Sequence, residues 1–431
     1  MRVLLVGSGG REHALAWKLA ASPRVEALWA APGNPGIARH ARCVPIGADR
    51  LDALADFAAR ERIDLTIVGP EAPLVAGLAD RFAARGLVAL GPGAAAAELE
   101  GSKAFAKALM TRYGIPTAAY RTFTDPEAAR RHCRAMGAPL VVKASGLAGG
   151  KGAIVCRTLA EAEAAVAACM EQRVFGAAGE TVVVEELLEG EEVSAFAVSN
   201  GHDVVAFGVA QDHKPVWDDD RGPNTGGMGA YSPVPRVDAA LERRILDEIV
   251  RPTIAALARE GRPYRGVLFA GLMLTAEGPK VIEFNCRFGD PECQALLPRV
   301  ADDIVPLLDA AARGAPLPGA VRWTEDATVC VTLASGGYPG AYDTGFPIEG
   351  LEAAEAIPGV RVFHAGTAWR DGTLVTAGGR VLSVTATAPT LAEAIARAYE
   401  AAGRIRFERM HYRRDIGRKG LAPRPAGHRL A

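Results

Sequence analysis

The 431-residue chain has no run approaching about eighteen consecutive apolar residues, which argues against a membrane-spanning helix. Neither sign of charge is in surplus. The 49 Lys+Arg and 50 Asp+Glu leave a formal charge of -1, so no general field steers nucleic acid and any anion must be held by a local site. The cysteines, Cys43, Cys133, Cys156, Cys169, Cys286, Cys293 and Cys330, are odd in number and lack CxxC spacing. They read as free thiols in a reducing compartment and give no zinc module. No long apolar segment with a cleavage site opens the sequence, which starts directly with an apolar strand; the expectation is a soluble, cytoplasmic protein. There is no internal repeat, no GxGxxG, no Walker A motif and no convincing Ser/His/Asp or Cys/His arrangement, so a dinucleotide fold, a P-loop and a protein nucleophile are all disfavoured.

What is present is a globular composition, 49% hydrophobic and 23% charged, long enough for roughly two to four domains. Near-continuous apolar strands at 3–6, 25–29, 65–68 and 87–90 alternate with Ala/Leu-rich helical stretches. This predicts an N-terminal parallel α/β unit covered on both faces, ending near Gly91-Pro92-Gly93. A helix is expected from Ser102-Lys103 to Tyr113, then strands at 140–143, 153–156, 181–185, 194–198 and 204–207 whose polar connections suit hairpins, and a later pair at 267–274 and 281–284. The middle is therefore α+β and more than one lobe. Val/Ala/Thr strands and a basic end at 404–419 follow, then a Pro/Gly/Arg-rich tail from Leu421 that should fray.

Three loops follow strands on what should be one sheet edge, the binding edge of a parallel sheet. Gly7-Ser8-Gly9-Gly10-Arg11 opens the first helix, where free N–H groups attract an anion. Asn34 lies on the second loop and Glu71 on the third. Residues 143–152 place four glycines between two strands, a hairpin cap whose amides cover phosphate oxygens while Lys143 and Lys151 neutralise them. Glu283 and Asn285, two apart on a strand, share a face and offer oxygens to magnesium; Arg287 continues the alternation toward a phosphoryl group or carboxylate. Residues 211–214, with Asp212, lead into a glycine-dense loop whose later half, Asn224, Thr225, Gly226, Gly227 and Met228, suits substrate binding.

Taken in order, GSGGREHALAWKLA (7–20), IVGPEAPLVAGLAD (67–80), EGSKAFAK (100–107), KASGLAGGKG (143–152), QDHK (211–214), GPNTGGMGAYSP (222–233), VIEFNCRFGDPE (281–292), SGGYPG (335–340) and VFHAGT (362–367) resemble the ATP-grasp superfamily, and more narrowly the phosphoribosylamine–glycine ligase family, over essentially the whole chain. The resemblance implies an N-terminal substrate-binding α/β domain (1–101), an ATP-grasp region (102–325) with a mobile lid lobe at about 120–188, and a C-terminal α+β domain (326–425). It implies ATP and Mg2+, with Mn2+ a possible substitute, and ligation of glycine to 5-phosphoribosylamine through glycyl phosphate by a monomer. By the same resemblance, Lys103 and Lys143 match the phosphate-side lysines, with Lys151 on the lid, and Glu185, Glu186 and Leu188 match the strand that meets adenine. Either Glu191 or Glu192 meets ribose. Glu283 and Asn285 match the metal ligands, Arg287 and Lys143 the catalytic pair, and Gly9, Gly10, Arg11, Asn34, Glu71, Asp212, the 224–228 loop and Arg287 the substrate contacts. One departure stands in the lid, where the family commonly reads KADGLAAGKG and this chain has Ser145 and Gly149.

Other readings are a sister ligase using another amine, a carboxylase working on a separate carrier protein, and a noncatalytic nucleotide sensor, which the Glu283/Asn285 pair disfavours. The basic end, with Arg413, Arg414, Arg418 and Lys419, raises nucleic-acid binding, disfavoured by the balanced charge and the missing aromatic platform.

Overall fold

The computed structural model describes residues 1–422; of the tail expected to fray, all beyond Ala422 lies outside the described residues. The N-terminal strands β1 (Arg2–Gly7), β2 (Ala27–Pro32), β3 (Arg42–Cys43), β4 (Leu65–Val68) and β5 (Ala89–Leu90) form a parallel sheet in the order β3-β2-β1-β4-β5. Val3 to Val6 are wholly buried because helices cover both faces, which is why the strand carries no polar alternation. β2 starts later than its apolar letters suggest and runs on to Pro32, because pairing with β1 continues to Gly7. β3, two exposed residues without a pattern, is legible only from its partner.

The helix Lys103–Tyr113 leads out of this unit. Ser102 caps its start by accepting from the Phe105 amide, and Gly114, at φ +68°, ends it. A four-stranded antiparallel sheet follows from β6 (Tyr120–Phe123), β7 (Leu140–Ala144), β8 (Ala153–Cys156) and β9 (Val182–Glu186), in the order β6-β9-β7-β8. It has its own apolar cluster, including Val142, Val184 and Cys169, beneath the helices Pro126–Met136 and Leu159–Val166.

The largest sheet has eight strands. β10 (Glu191–Asn200) and β11 (Val204–Asp212) form an antiparallel hairpin pair, β12 (Pro215–Trp217) and β13 (Arg221–Asn224) a small side hairpin, and β14 (Gly229–Ser232) returns to β11. β15 (Arg265–Thr275) and β16 (Gly278–Asn285) pair beside β10. β17 (Ala327–Ala334), β18 (Val360–His364), the outlying pair β19 (Thr367–Arg370) and β20 (Thr373–Thr376), and β21 (Arg380–Ala388) complete the C-terminal part. The order β16-β15-β10-β11-β14-β17-β21-β18 shows that one hydrogen-bonded sheet passes through the border expected near residue 325, at the β14–β17 pair.

Part of the positive charge at 413–419 is paired internally. Arg413 is wholly buried, paired with Asp415 and Asp220, and Lys419 also pairs with Asp220. The acidic run Asp218–Asp220 is thus a fastening for the C-terminal segment.

Candidate active site

A cavity of about 330 Å³ opens where the first sheet's loops, the 146–152 hairpin and the β15–β16 edge meet. Its floor is made by β16. A β-bulge inserts Ile282 opposite Gly271 and Leu272, and the Ile282 carbonyl accepts from Lys143 Nζ at 2.8 Å. Beyond that bulge Glu283 and Asn285 both line the cavity.

Behind the floor, Glu185 on β9 is buried between two ammonium groups, Lys143 at 2.5 Å from Oε1 and Lys107 at 2.5 Å from Oε2. Burial alone would raise its carboxyl, but the two lysines hold it below the ordinary range. Glu283 is treated alike: burial opposes ionisation, and Lys214, Lys143, Lys103 and Arg287 outweigh it. Lys103 itself is pushed down by burial, partly countered by Glu283.

Arg287 spans the site's far wall. Its Nε donates to Glu71 at 3.1 Å, and Nη2 donates to Glu100 at 3.0 Å and to Asn285 Oδ1 at 3.1 Å. Lys214 pairs with Glu192 and lies 3.8 Å from Asp212 and 3.9 Å from Glu283. Burial, with Glu292 close by, drives the Asp212 carboxyl well up. Two oxygen donors on one face, ringed by cations and roofed by a glycine hairpin, suit a polyphosphate and the divalent ion that accompanies it.

Family models match most of the chain: Phosphoribosylglycinamide synthetase N domain at residues 1–100, its ATP-grasp (A) domain at 101–293 and its C domain at 328–419. The chain belongs to the phosphoribosylglycinamide synthetase family. It is 53% identical over 422 residues to a phosphoribosylamine–glycine ligase of Agrobacterium fabrum, covering 98% of this chain and 99% of that protein. It is also 53% identical to the Pseudomonas aeruginosa enzyme of the same name, again covering 98% and 99%. The crystal structure of phosphoribosylamine–glycine ligase from Thermotoga maritima superposes with a TM-score of 0.84 at 34% identity, covering 96% of this chain and all of that one. A biotin carboxylase from Campylobacter jejuni shares the fold, with a TM-score of 0.72 at 16% identity over 97% of this chain and 94% of that one.

Within this synthetase-family fold the cavity gathers Arg11, Glu71, Lys103, Lys143, Asp212, Thr225, Gly226, Glu283, Asn285 and Arg287 from seven separated stretches of sequence. Several other expected site residues do not line it. Glu185 lies one layer behind, on its lysines, and Glu186 accepts from the Ala119 amide at 2.9 Å. Leu188 follows β9 without reaching the cavity wall. Glu191 is engaged by Gln211 and Arg236, whereas Glu192 meets Lys214. Lys151 points away from the cavity and donates to the Pro339 carbonyl at 2.7 Å.

The first glycine turn is largely filled from within. Gly9 N–H donates to Glu12 Oε2 at 2.6 Å, and a Cβ on Gly69 would stand 2.0 Å from Glu12 Oε1. A Cβ on Gly10 would stand 2.5 Å from Gln294 Nε2, so this turn abuts the Asp290–Gln294 corner. Arg11 donates to Glu12 at 2.6 Å and to the Phe288 carbonyl at 3.0 Å. Asn34 is saturated by backbone: Nδ2 donates to the Ser8 and His364 carbonyls at 2.8 and 2.9 Å, and Oδ1 accepts from Ile37. Asn224 lies on β13, Gly227 donates its amide to Thr225 Oγ1 at 2.9 Å, and Met228 is buried beside Val216 and Ala334.

Sequence reasoning passed over Lys107, Lys214, Glu100 and Arg380. Lys107 sits four residues after Lys103, hence on the same helix face, a signal that was available. Lys214 and Glu100 lie within the segments QDHK and EGSKAFAK. Arg380 has no local signature: it comes from β21, donating from Nη1 to the Gly226 carbonyl at 2.7 Å and the Asp290 carbonyl at 2.5 Å.

Proposed function

We propose that this chain ligates glycine to 5-phosphoribosylamine with cleavage of ATP, giving glycinamide ribonucleotide, ADP and phosphate, the second step of de novo purine synthesis. The observation that carries the reading is the convergence of Lys103, Lys143, Lys214 and Arg287 on Glu283 and Asn285 in one cavity, in a chain of the synthetase family. A carboxylate is a poor acyl donor, and its phosphorylation to glycyl phosphate supplies the leaving group that the amine displaces. The cations offset charge on the transferring phosphoryl group, and the hairpin at 146–152 keeps water from the acyl phosphate.

Glu283 and Asn285 fit a divalent ion because both present oxygen and are the paired donors of the cavity floor; Mg2+, or Mn2+ in its place, would lower the charge on the phosphates there. Lys103 and Lys143 hold phosphate, and Arg287 orients the reacting carboxyl or phosphoryl group. Lys151 and the strand at 185–188 complete the nucleotide site once the lid has moved, with Glu191 or Glu192 at ribose. Gly9, Gly10, Arg11, Asn34, Glu71, Asp212 and the 224–228 loop hold the acceptor. The working division is 1–101, 102–325 with its lid at about 120–188, and 326–425. No helix among the described residues is long and apolar enough to cross a membrane. A cytoplasmic monomer without nucleic-acid or membrane partners is the proposed state; the internal pairing of Arg413 and Lys419 supports the nucleic-acid part of it.

The test is ADP release with magnesium, glycine and freshly generated phosphoribosylamine, the product being identified by mass. Release that needs all three and yields glycinamide ribonucleotide is expected. Folded, ATP-binding protein that makes no such product would direct the search to another amine or to a sensor role.

A further inference from the structure

Ser145 stands where the lid hairpin leaves β7, two residues after Lys143, and is buried. Its backbone is spoken for on both sides: the amide donates to the Thr181 carbonyl at 2.9 Å, and its carbonyl accepts from the Lys103 amide at 2.8 Å. Its side chain does more, since Oγ accepts from the Ala104 amide at 3.1 Å and lies 3.4 Å from Ser102 Oγ. Ser102 Oγ in turn accepts from the Phe105 amide at 3.2 Å. The first three amides of the helix Lys103–Tyr113, which have no partner inside the helix, are thus satisfied by residues 102 and 145 together. The next lid residue continues the join, for the Gly146 carbonyl accepts from Lys103 Nζ at 3.2 Å.

That helix carries Lys103 and Lys107, and β7, which ends just before Ser145, carries Lys143. Lys107 and Lys143 share Glu185, so the helix and strand are linked by the ion pairs behind the cavity and a second time by the Ser145 hydrogen bonds. We propose that Ser145 is a positioning residue for nucleotide binding: its hydroxyl caps the Lys103–Tyr113 helix from the base of the lid and fixes the Lys103 ammonium relative to Lys143. The residue is one of the two by which the lid departs from the family pattern, and its neutral hydroxyl supplies the acceptor that a helix start needs. The inference rests on the reading of this cavity as a nucleotide site.

The test is magnesium-ADP affinity of the full chain by equilibrium dialysis, read together with thermal midpoints. Ser145→Ala should weaken ADP binding about fivefold or more, the scale of a lost helix cap, and Ser145→Asp, which returns an acceptor to the same place, should bring the affinity back to within about twofold of wild type. A purely structural cap would lower the midpoint of Ser145→Ala and leave its ADP affinity at the wild-type value, which overturns the proposal. Loss of affinity that Ser145→Asp fails to restore overturns it as well. Should Ser145→Ala not fold, the Asp variant decides alone, since weaker binding by that variant contradicts the capping role. Wild-type protein that is folded yet binds no ADP overturns the nucleotide-site reading and this inference together; wild-type binding with an indifferent Ser145→Ala overturns the inference only.

Discussion

Arg287 donates from Nη2 to Glu100 Oε1 at 3.0 Å, and Glu100, whose other oxygen accepts from the Cys286 amide at 2.7 Å, is buried where burial drives its carboxyl up. Removing the cation strands that carboxylate. Arg287→Met should therefore cost about 3 kcal/mol of stability, the scale of breaking one side of a buried pair, and lower kcat/KM at least about 100-fold. Arg287→Lys should not recover activity, because an ammonium cannot span Glu71, Glu100 and Asn285 together. Urea unfolding and the ADP-release assay measure both; a Lys variant with wild-type turnover would refute the forked role.

Glu185 separates two ammonium groups. Glu185→Gln leaves Lys107 and Lys143 as buried like charges, and should destabilise the protein by about 3 kcal/mol while weakening nucleotide binding. Adding Lys107→Met should return part of the stability. A double-mutant cycle showing simple additivity would contradict the shared pair.

Glu283→Gln should raise the magnesium concentration needed for half-maximal activity by at least about 10-fold, with little change in KM for glycine. Magnesium titration of the variant, or direct Mn2+ binding followed by electron paramagnetic resonance, checks this. Unchanged metal dependence would remove Glu283 from the metal's ligands.

The joint between the first and last parts of the chain should weaken in acid. His13 Nδ1 accepts from the His364 amide at 2.7 Å, and the rings of His13 and His364 lie 5.5 Å apart. Burial lowers His364 to about 4 and carries His13 well below its ordinary value, with His364 adding to the effect on His13. Below an unfolded pKa near 6.5 the unfolded chain takes up protons that the folded joint refuses, so stability is full above that value and falls as pH drops toward 4. His364 alone corresponds to about 3 kcal/mol across that window. Thermal midpoints from pH 7.5 to 4.5 should show the decline, and His364→Gln should flatten it; an equal slope in both proteins would assign the loss elsewhere.

Local chemistry made much of the fold and part of the site readable. Ser102 and Gly114 bracket a helix, uninterrupted apolar letters in β1 announce a strand buried on both faces, and the Glu283/Asn285 alternation survives because the bulge falls before it. What could not be read depends on distance along the chain. Arg380 reaches the cavity from β21 through sheet pairing that no local pattern encodes, and the exposed two-residue β3 exists only because β2 offers an edge. Asn34 and Gly9 looked free in sequence because their partners, the His364 carbonyl and the Glu12 side chain, are chosen by packing.

The pairing of β14 with β17 has a consequence for how the protein can be taken apart. Tyr231↔Val329 and its neighbours are rungs of one ladder, so cutting the chain near residue 325 would bare an apolar strand edge on each fragment. The two pieces expressed separately should cling to themselves and precipitate, whereas co-expressed they should find each other and restore the sheet. A family whose models divide the sequence into modules therefore has, in this chain, modules that are inherited as text and folded as a single fabric.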